Sequence, residues 1–328
     1  MMETMKEIEL CFPELFNTSC RKPKHTHSEA VLIYILMPLT SVVTVILNLL
    51  VIISISHFKQ LHTPTNLLLL SLACSDFFVG VLMCFHILIA DGCWVLGDIM
   101  CALFSVFDFT CTSASVGTMV LISVDRYVAI CDPLRYSTKI TVRRVTTYIC
   151  LCWVCSFLYD CLLIHDNLNQ VDRYISCSGE CVIVINQIAG VADIIMTFFA
   201  PVTAIIFLYM RVFVVAVSQA RAMRSHITSV KMSGTVWAKK SELKAARTLG
   251  VVIVVFLTCF CPYFISSLLE DNSLFSVSSV PLQNWLLSFN SCLNPIIYTF
   301  CYPWYRKSVK LILTFKIFEP NSCEANVL

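Results

Sequence analysis

Apolar residues gather into seven long runs along the 328-residue chain, at 31–54, 67–90, 99–130, 145–164, 188–217, 245–269 and 281–301. All of these runs reach the roughly 20 residues that a helix needs to cross the hydrocarbon core of a bilayer. Backbone groups surrounded by lipid have to bond within their own segment, so helices are the expected form. Connections are short except at 166–187 and 219–243. From 304 to 318, aromatics and leucines alternate with Arg306, Lys307, Lys310 and Lys316, a pattern that suits a helix lying in the membrane interface. The chain therefore reads as an all-α membrane protein, a seven-helix bundle over 31–301. A tail, 1–30, precedes the bundle, and an amphipathic helix and second tail, 302–328, follow it.

The third run breaks the apolar pattern where it matters most. It carries Asp108 near one end and Asp125, Arg126 and Tyr127 near the other. Charge inside a bilayer is costly, so each such residue marks a candidate functional site. Asp108 and Arg126 lie about 27 Å apart at helical rise. One helix thus holds an acid near one membrane face and a basic triplet near the other, the layout of a device that senses on one side and reports on the other.

Composition agrees with this reading. The chain is 58% hydrophobic and 13% charged, with a mean hydropathy of +0.79, against about 25% charged residues in soluble domains. A net charge of +2 without a basic block gives no footprint for nucleic acid. Residues 1–14 lack the apolar core of a signal peptide, so the first helix is expected to direct its own insertion. Of 23 lysines and arginines, only Lys6, Arg21, Lys22, Lys24 and Arg173 fall on one side of the spans. The positive-inside rule then places the amino terminus outside and the carboxyl terminus in the cytoplasm. The glycosylation acceptor Asn17-Thr18-Ser19 falls outside, as that orientation requires. The outer segments also hold a surplus of acids, either as ordinary solvated loops or as a field that concentrates cations.

One residue or motif in each run carries a resemblance: Asn48, Asp76, Asp125-Arg126-Tyr127, Trp153, Pro201, Pro262 and Asn294-Pro295-Ile296-Ile297-Tyr298. Together, over about 34–318, they resemble the rhodopsin-like G-protein-coupled receptors. SISHFKQLHTPTN (54–66), CDPLRY (131–136) and NSCLNPIIYTFCYPWY (290–305, with Tyr305 where Phe is usual) are similar to trace amine-associated receptors, fish-type olfactory members among them. The resemblance implies a plasma-membrane receptor, with olfactory cilia as one setting. It would couple to a heterotrimeric G protein of the stimulatory or olfactory type and raise cyclic AMP. It implies no enzyme activity, and the chain carries neither H-E-x-x-H nor G-x-S-x-G. A transporter would show repeats with paired broken helices, which this pattern lacks.

In that family Asp108 holds the ligand ammonium. Asp193 lies eight residues before Pro201, where many aminergic receptors have Ser or Thr. Two acids facing one cavity would repel unless a cation lay between them, so diamines such as cadaverine or putrescine become the leading ligand class. A monoamine with Asp193 bonding a hydroxyl or amide is the alternative, and a water-facing acid is the plainest reading. Whether Asp160 joins them stays open. The resemblance puts Phe107, Cys111, Thr112, Tyr263, Phe264, Asn284, Trp285 and Ser288 on the pocket wall, where aromatics stack on alkylammonium groups. Phe260 replaces a customary Trp, and Ser288 a customary Tyr.

Asp76, Ser115, Asn290 and Asn294 match the family's sodium pocket, an oxygen set suited to a hard cation, or else a hydrated polar cluster. Arg126 is expected to pair with Asp125 and with Glu242. With Tyr127, Phe260, Pro262, Pro295 and Tyr298, these form the family's activation machinery. The family's disulfide joins Cys101 to Cys181, and its subfamily adds Cys20 to Cys177; Cys11 and Cys93 also lie outside, and whether they pair stays open. Cys323 is a candidate for lipidation.

Overall fold

The computed structural model describes residues 10–15, 18–169, 177–181, 183, 185, 187–226, 250–251, 254–265 and 280–327. Helix α1, His27–His57, starts at a capping box: Thr26 Oγ1 accepts from the Glu29 amide at 3.4 Å, and Glu29 Oε2 accepts from the Thr26 amide at 2.7 Å. Helix α2, Pro64–Asp91, starts on Thr63 with proline at its first position and ends at Gly92, whose φ of 84° suits glycine. A side chain on Gly92 would also strike Pro23, with 2.2 Å between the added carbon and the ring. Helix α3 is Gly97–Cys131 and α4 is Val142–Asn169. Helix α5 runs through Gln187–Ile194, Ile195–Phe199 and Ala200–His226. The described part of α6 is Val254–Ile265, α7 is Val280–Cys301, and α8 is Pro303–Leu313.

Two of these helices contain a widened turn closed from residue i to i+5, at Leu32–Leu36 in α1 and Ile195–Phe199 in α5. Each ends two residues before a proline, Pro38 and Pro201. A proline ring collides with the carbonyl four residues back and offers no amide to bond it, and a π-turn relieves that crowding. It also inserts one residue into the helix, which turns everything N-terminal to it by about 100°.

Helices α1 to α5 each have the length and apolar content to cross a membrane. The described part of α6 is a shorter apolar helix. Helix α7 spans 22 residues and spends much of its length on polar side chains that face inward. Helix α3 is the axis: it packs on α2, α4 and α5, while α2 packs on α1 and α7. Leu39, Val42 and Ile46 of α1 and Leu151, Val154 and Phe157 of α4 are exposed, whereas Asn48, Asp76 and Asn294 are fully buried. That inverts a soluble core and suits lipid, which asks for apolar outer faces and shelters polar groups inside. Helices α1 to α5 and α7 overlap the expected runs, and of the expected run 245–269 only 250–251 and 254–265 lie within the described residues. The amphipathic stretch is interrupted, because Phe315 takes a φ of 58° and separates α8 from a 3₁₀ turn at Lys316–Phe318.

At the end that carries the amino-terminal tail, Cys101–Cys181 and Cys20–Cys177 are disulfides, as the resemblance implies, and Cys11–Cys93, left open by the sequence, is a third. The Cys20 amide donates to the Ser178 carbonyl at 2.9 Å, and the Trp94 amide to the Gly179 carbonyl at 2.8 Å. The tail, the α2–α3 turn and the α4–α5 loop are thereby stapled into one cap. At the inner end α8 packs on α1, with Tyr305 donating to the Leu47 carbonyl at 3.3 Å. Asn17 and Glu242 lie outside the described residues.

Candidate ligand-binding cavity

Beneath the cap, the helices enclose a cavity of about 250 Å³. From α3 it is lined by Ser105, Asp108, Phe109, Thr112 and Val116, a stripe at three- and four-residue steps that marks one helix face. From α7 come Asn284, Leu287, Ser288 and Ser291 at the same periodicity. Asp160 enters from α4, Asp193 and Thr197 from α5, and Phe260, Tyr263 and Phe264 from α6. Asp108, Asp160 and Asp193 therefore border one space. The π-turn at Ile195–Phe199 lies between Asp193 and Pro201, so it sets the rotation that brings Asp193 inward.

Three expected wall residues do not border this cavity. Phe107 points to the outside of α3, exposed and edge-on to Phe78 at 5.2 Å. Cys111 is fully buried among Val79, Leu82, Trp94 and Phe104, behind the lining stripe. Trp285 is one residue, hence about 100°, away from Asn284. It turns to α1, where its indole donates to Thr40 Oγ1 at 3.2 Å and stacks on Phe289.

His86 is the residue that sequence reasoning missed. Its Nε2 lies 3.1 Å from Asp108 Oδ1, with both side chains mostly buried. The signal was present, since an ionisable residue inside an apolar run is a site candidate in its own right. Asp193 Oδ1 accepts from Tyr159 at 3.0 Å. A second space of about 430 Å³ lies outward, between tail residues Pro23–Glu29 and the ends of α2 and α7. His86, Ile89 and Asn284 line both spaces, so the two adjoin.

Deeper in the bundle, Asp76 accepts from Ser291 at 2.8 Å, Asn294 at 2.7 Å and Ser115 at 3.5 Å. Ser291 was not foreseen. Asn290 Oδ1 and Asn294 Oδ1 are buried without a hydrogen-bond partner among the described residues. With the carboxylate and two hydroxyls, they form an all-oxygen set that fits a hard monovalent cation. Asn48 ties α1 to α7 by donating to the Ser291 carbonyl at 3.0 Å.

At the inner end, Arg126 Nε donates to Asp125 Oδ2 at 2.9 Å, with a second, shorter bond from Nη2. Arg126 also reaches Thr65 Oγ1 at 2.5 Å, and Tyr136 donates to Asp125 Oδ1 at 2.9 Å. Burial holds the Tyr136 phenol above its usual value, which keeps it a donor. Tyr127 packs with Ile130 and Val212. Phe256, Phe260 and Phe264 ladder along α6, and Phe264 stacks on Phe198 at 4.4 Å. Pro295 lies inside α7, and the buried Tyr298 hydroxyl has no hydrogen-bond partner among the described residues.

A family model described as "7 transmembrane receptor (rhodopsin family)" matches residues 47–298. The chain belongs to that family, among the trace amine-associated receptors. It is 39% identical to trace amine-associated receptor 13c of Danio rerio, over 97% of this chain and 96% of the relative. It is 37% identical to trace amine-associated receptor 1 of Mus musculus, over 98% and 99%, and 35% identical to the Homo sapiens receptor of that name, over 94% and 95%. As a member of this family the chain is a multi-pass plasma-membrane receptor that answers a ligand through a heterotrimeric G protein, and is not an enzyme.

Proposed function

We propose that this receptor is a chemosensor for aliphatic amines, that it prefers diamines to matched monoamines, and that it raises cyclic AMP through a stimulatory or olfactory G protein. The observation that carries the reading is that Asp108 and Asp193 border one small cavity. A carboxylate in a low-dielectric space gains far more from a cation than from a neutral ligand. One ammonium binds Asp108, sharing it with His86, and the second binds Asp193. The aromatic faces of Tyr263 and Phe264 cover the methylene chain between them. Pockets for drug-sized molecules run to about 300–1,000 Å³, so a cavity near the lower bound suits a slender aliphatic chain. The amino terminus is outside, which opens the outer space to extracellular ligand, and the Asp76 cluster holds sodium in the resting state. Binding shifts the balance towards the active state only through a higher affinity for that state.

The Tyr159 hydroxyl already bonds Asp193, and this favours a second reading. In it, Asp193 is satisfied internally and the receptor takes monoamines at Asp108. A cyclic AMP dose–response with linear diamines and matched monoamines separates the two, run on wild type and Asp193→Asn. The diamine reading expects diamines to be the more potent, with that preference lost in the variant. An unchanged diamine potency in Asp193→Asn assigns the monoamine.

A further inference from the structure

Asp160 is 1% exposed, borders the cavity, and its Oδ2 has no hydrogen-bond partner among the described residues. A buried carboxylate oxygen without a donor is expensive, and such groups in folded proteins are normally satisfied. From α3, the Thr110 and Ser113 hydroxyls hydrogen-bond the other oxygen of Asp160, although Thr110 also donates to the Val106 carbonyl at 2.8 Å, and neither serves Oδ2. The neighbouring residue Tyr159 bonds Asp193, and Asp160 is near enough to Asp193 for their charges to act on each other. The cavity is therefore lopsided. Asp108 stands on α3 with His86 beside it, and two carboxylates stand together where α4 meets α5.

We propose that Asp160 and Asp193 form a two-cation subsite that takes two neighbouring ammonium groups of one ligand, so that the receptor prefers linear triamines to diamines of equal length. This rests on the amine reading above and adds the third charge. A triamine sets its inner, secondary ammonium a few methylenes from one end. With the far end on Asp108, that closely spaced pair meets the paired acids, and the orphaned Asp160 oxygen gains a charged donor. A diamine of the same length brings only one cation to the two carboxylates and leaves the other with its repulsion unrelieved.

The test uses the full-length receptor in transfected cells, with cyclic AMP and surface expression both read. The probes are spermidine and 1,8-diaminooctane, which separate their terminal nitrogens by the same number of chain atoms. A charged hydrogen bond to a buried acid implies wild-type potency for spermidine at least about tenfold above the diamine. Asp160→Asn erases that gap and Asp160→Glu keeps it. Equal potencies at wild type overturn the proposal, as does a gap that survives in Asp160→Asn. Should Asp160→Asn fail to reach the surface, the wild-type comparison decides alone. Asp108→Asn marks the other failure: undiminished responses to both probes there sink the amine cavity itself, whereas lost responses there with no gap at wild type sink only the role of Asp160.

Discussion

The buried acids of this receptor fall into two groups that differ in how they are satisfied. Asp76 and Asp125 are each surrounded by donors from their own protein: two serines and an asparagine on one, an arginine, a threonine and a tyrosine on the other. In the outer cavity, Asp108 has one histidine and Asp193 one tyrosine, while Asp160 has the Thr110 and Ser113 hydroxyls on one oxygen and, among the described residues, no partner on the other. An acid bonded on all sides is part of the frame, or of a switch that moves the frame. An acid left short of donors is a standing cost, and that cost is recovered when a cation arrives from outside.

The most severe break of this contrast is Asp108→Asn. Truncating one partner of a buried charge pair costs about 2–5 kcal/mol. Amine potency in a cyclic AMP assay should fall by roughly a hundredfold or more at unchanged surface level. Next is Asp76→Ala, which orphans Ser291 and Asn294 together. Melting of the detergent-purified receptor should show a loss of about 2–4 kcal/mol, whereas Asp160→Asn should cost nothing in the ligand-free protein. If both variants melt alike, the contrast fails.

Tyr136→Phe removes one donor from Asp125, worth about 1 kcal/mol, and should raise basal cyclic AMP several-fold by loosening the hold on Arg126. A basal level equal to wild type would mean that Tyr136 is only scaffolding. The smallest effect is expected from Trp285→Phe. Its indole bonds Thr40 on α1 rather than the cavity, so amine potency should move by less than about threefold, the loss of one neutral hydrogen bond.

Much was legible in the chain, because the bilayer is a demanding solvent. Long apolar runs have few structures open to them, and the charges inside those runs, Asp76, Asp108, Asp125 and Asp193, name themselves. Two disulfide pairings, Cys101–Cys181 and Cys20–Cys177, followed from the family resemblance, and Cys11–Cys93 did not. Wall residues were less legible. Phe107, Cys111 and Trp285 fall one helical step off the lining face, and a step of about 100° cannot be judged without knowing what each face packs against. Ser291 escaped notice because a serine in a helix is unremarkable until a carboxylate stands beside it. His86 was readable in principle as an ionisable residue within an apolar run.

The sequence by itself determined that the chain crosses the membrane as helices, which helices carry acids, and that it belongs among receptors rather than enzymes. Hydrophobic length and buried charge are properties of a segment, so they survive without a fold. Only the tertiary structure decided which acids share a space. That depends on rotation about each axis, on the π-turn before Pro201 that sets the face of α5, and on α3 packing between α4 and α5. Asp160 shows the difference. In the chain it is one more acid near a helix end, and in the fold it is a buried carboxylate bordering the cavity that Asp108 and Asp193 also line, with one oxygen that has no partner among the described residues.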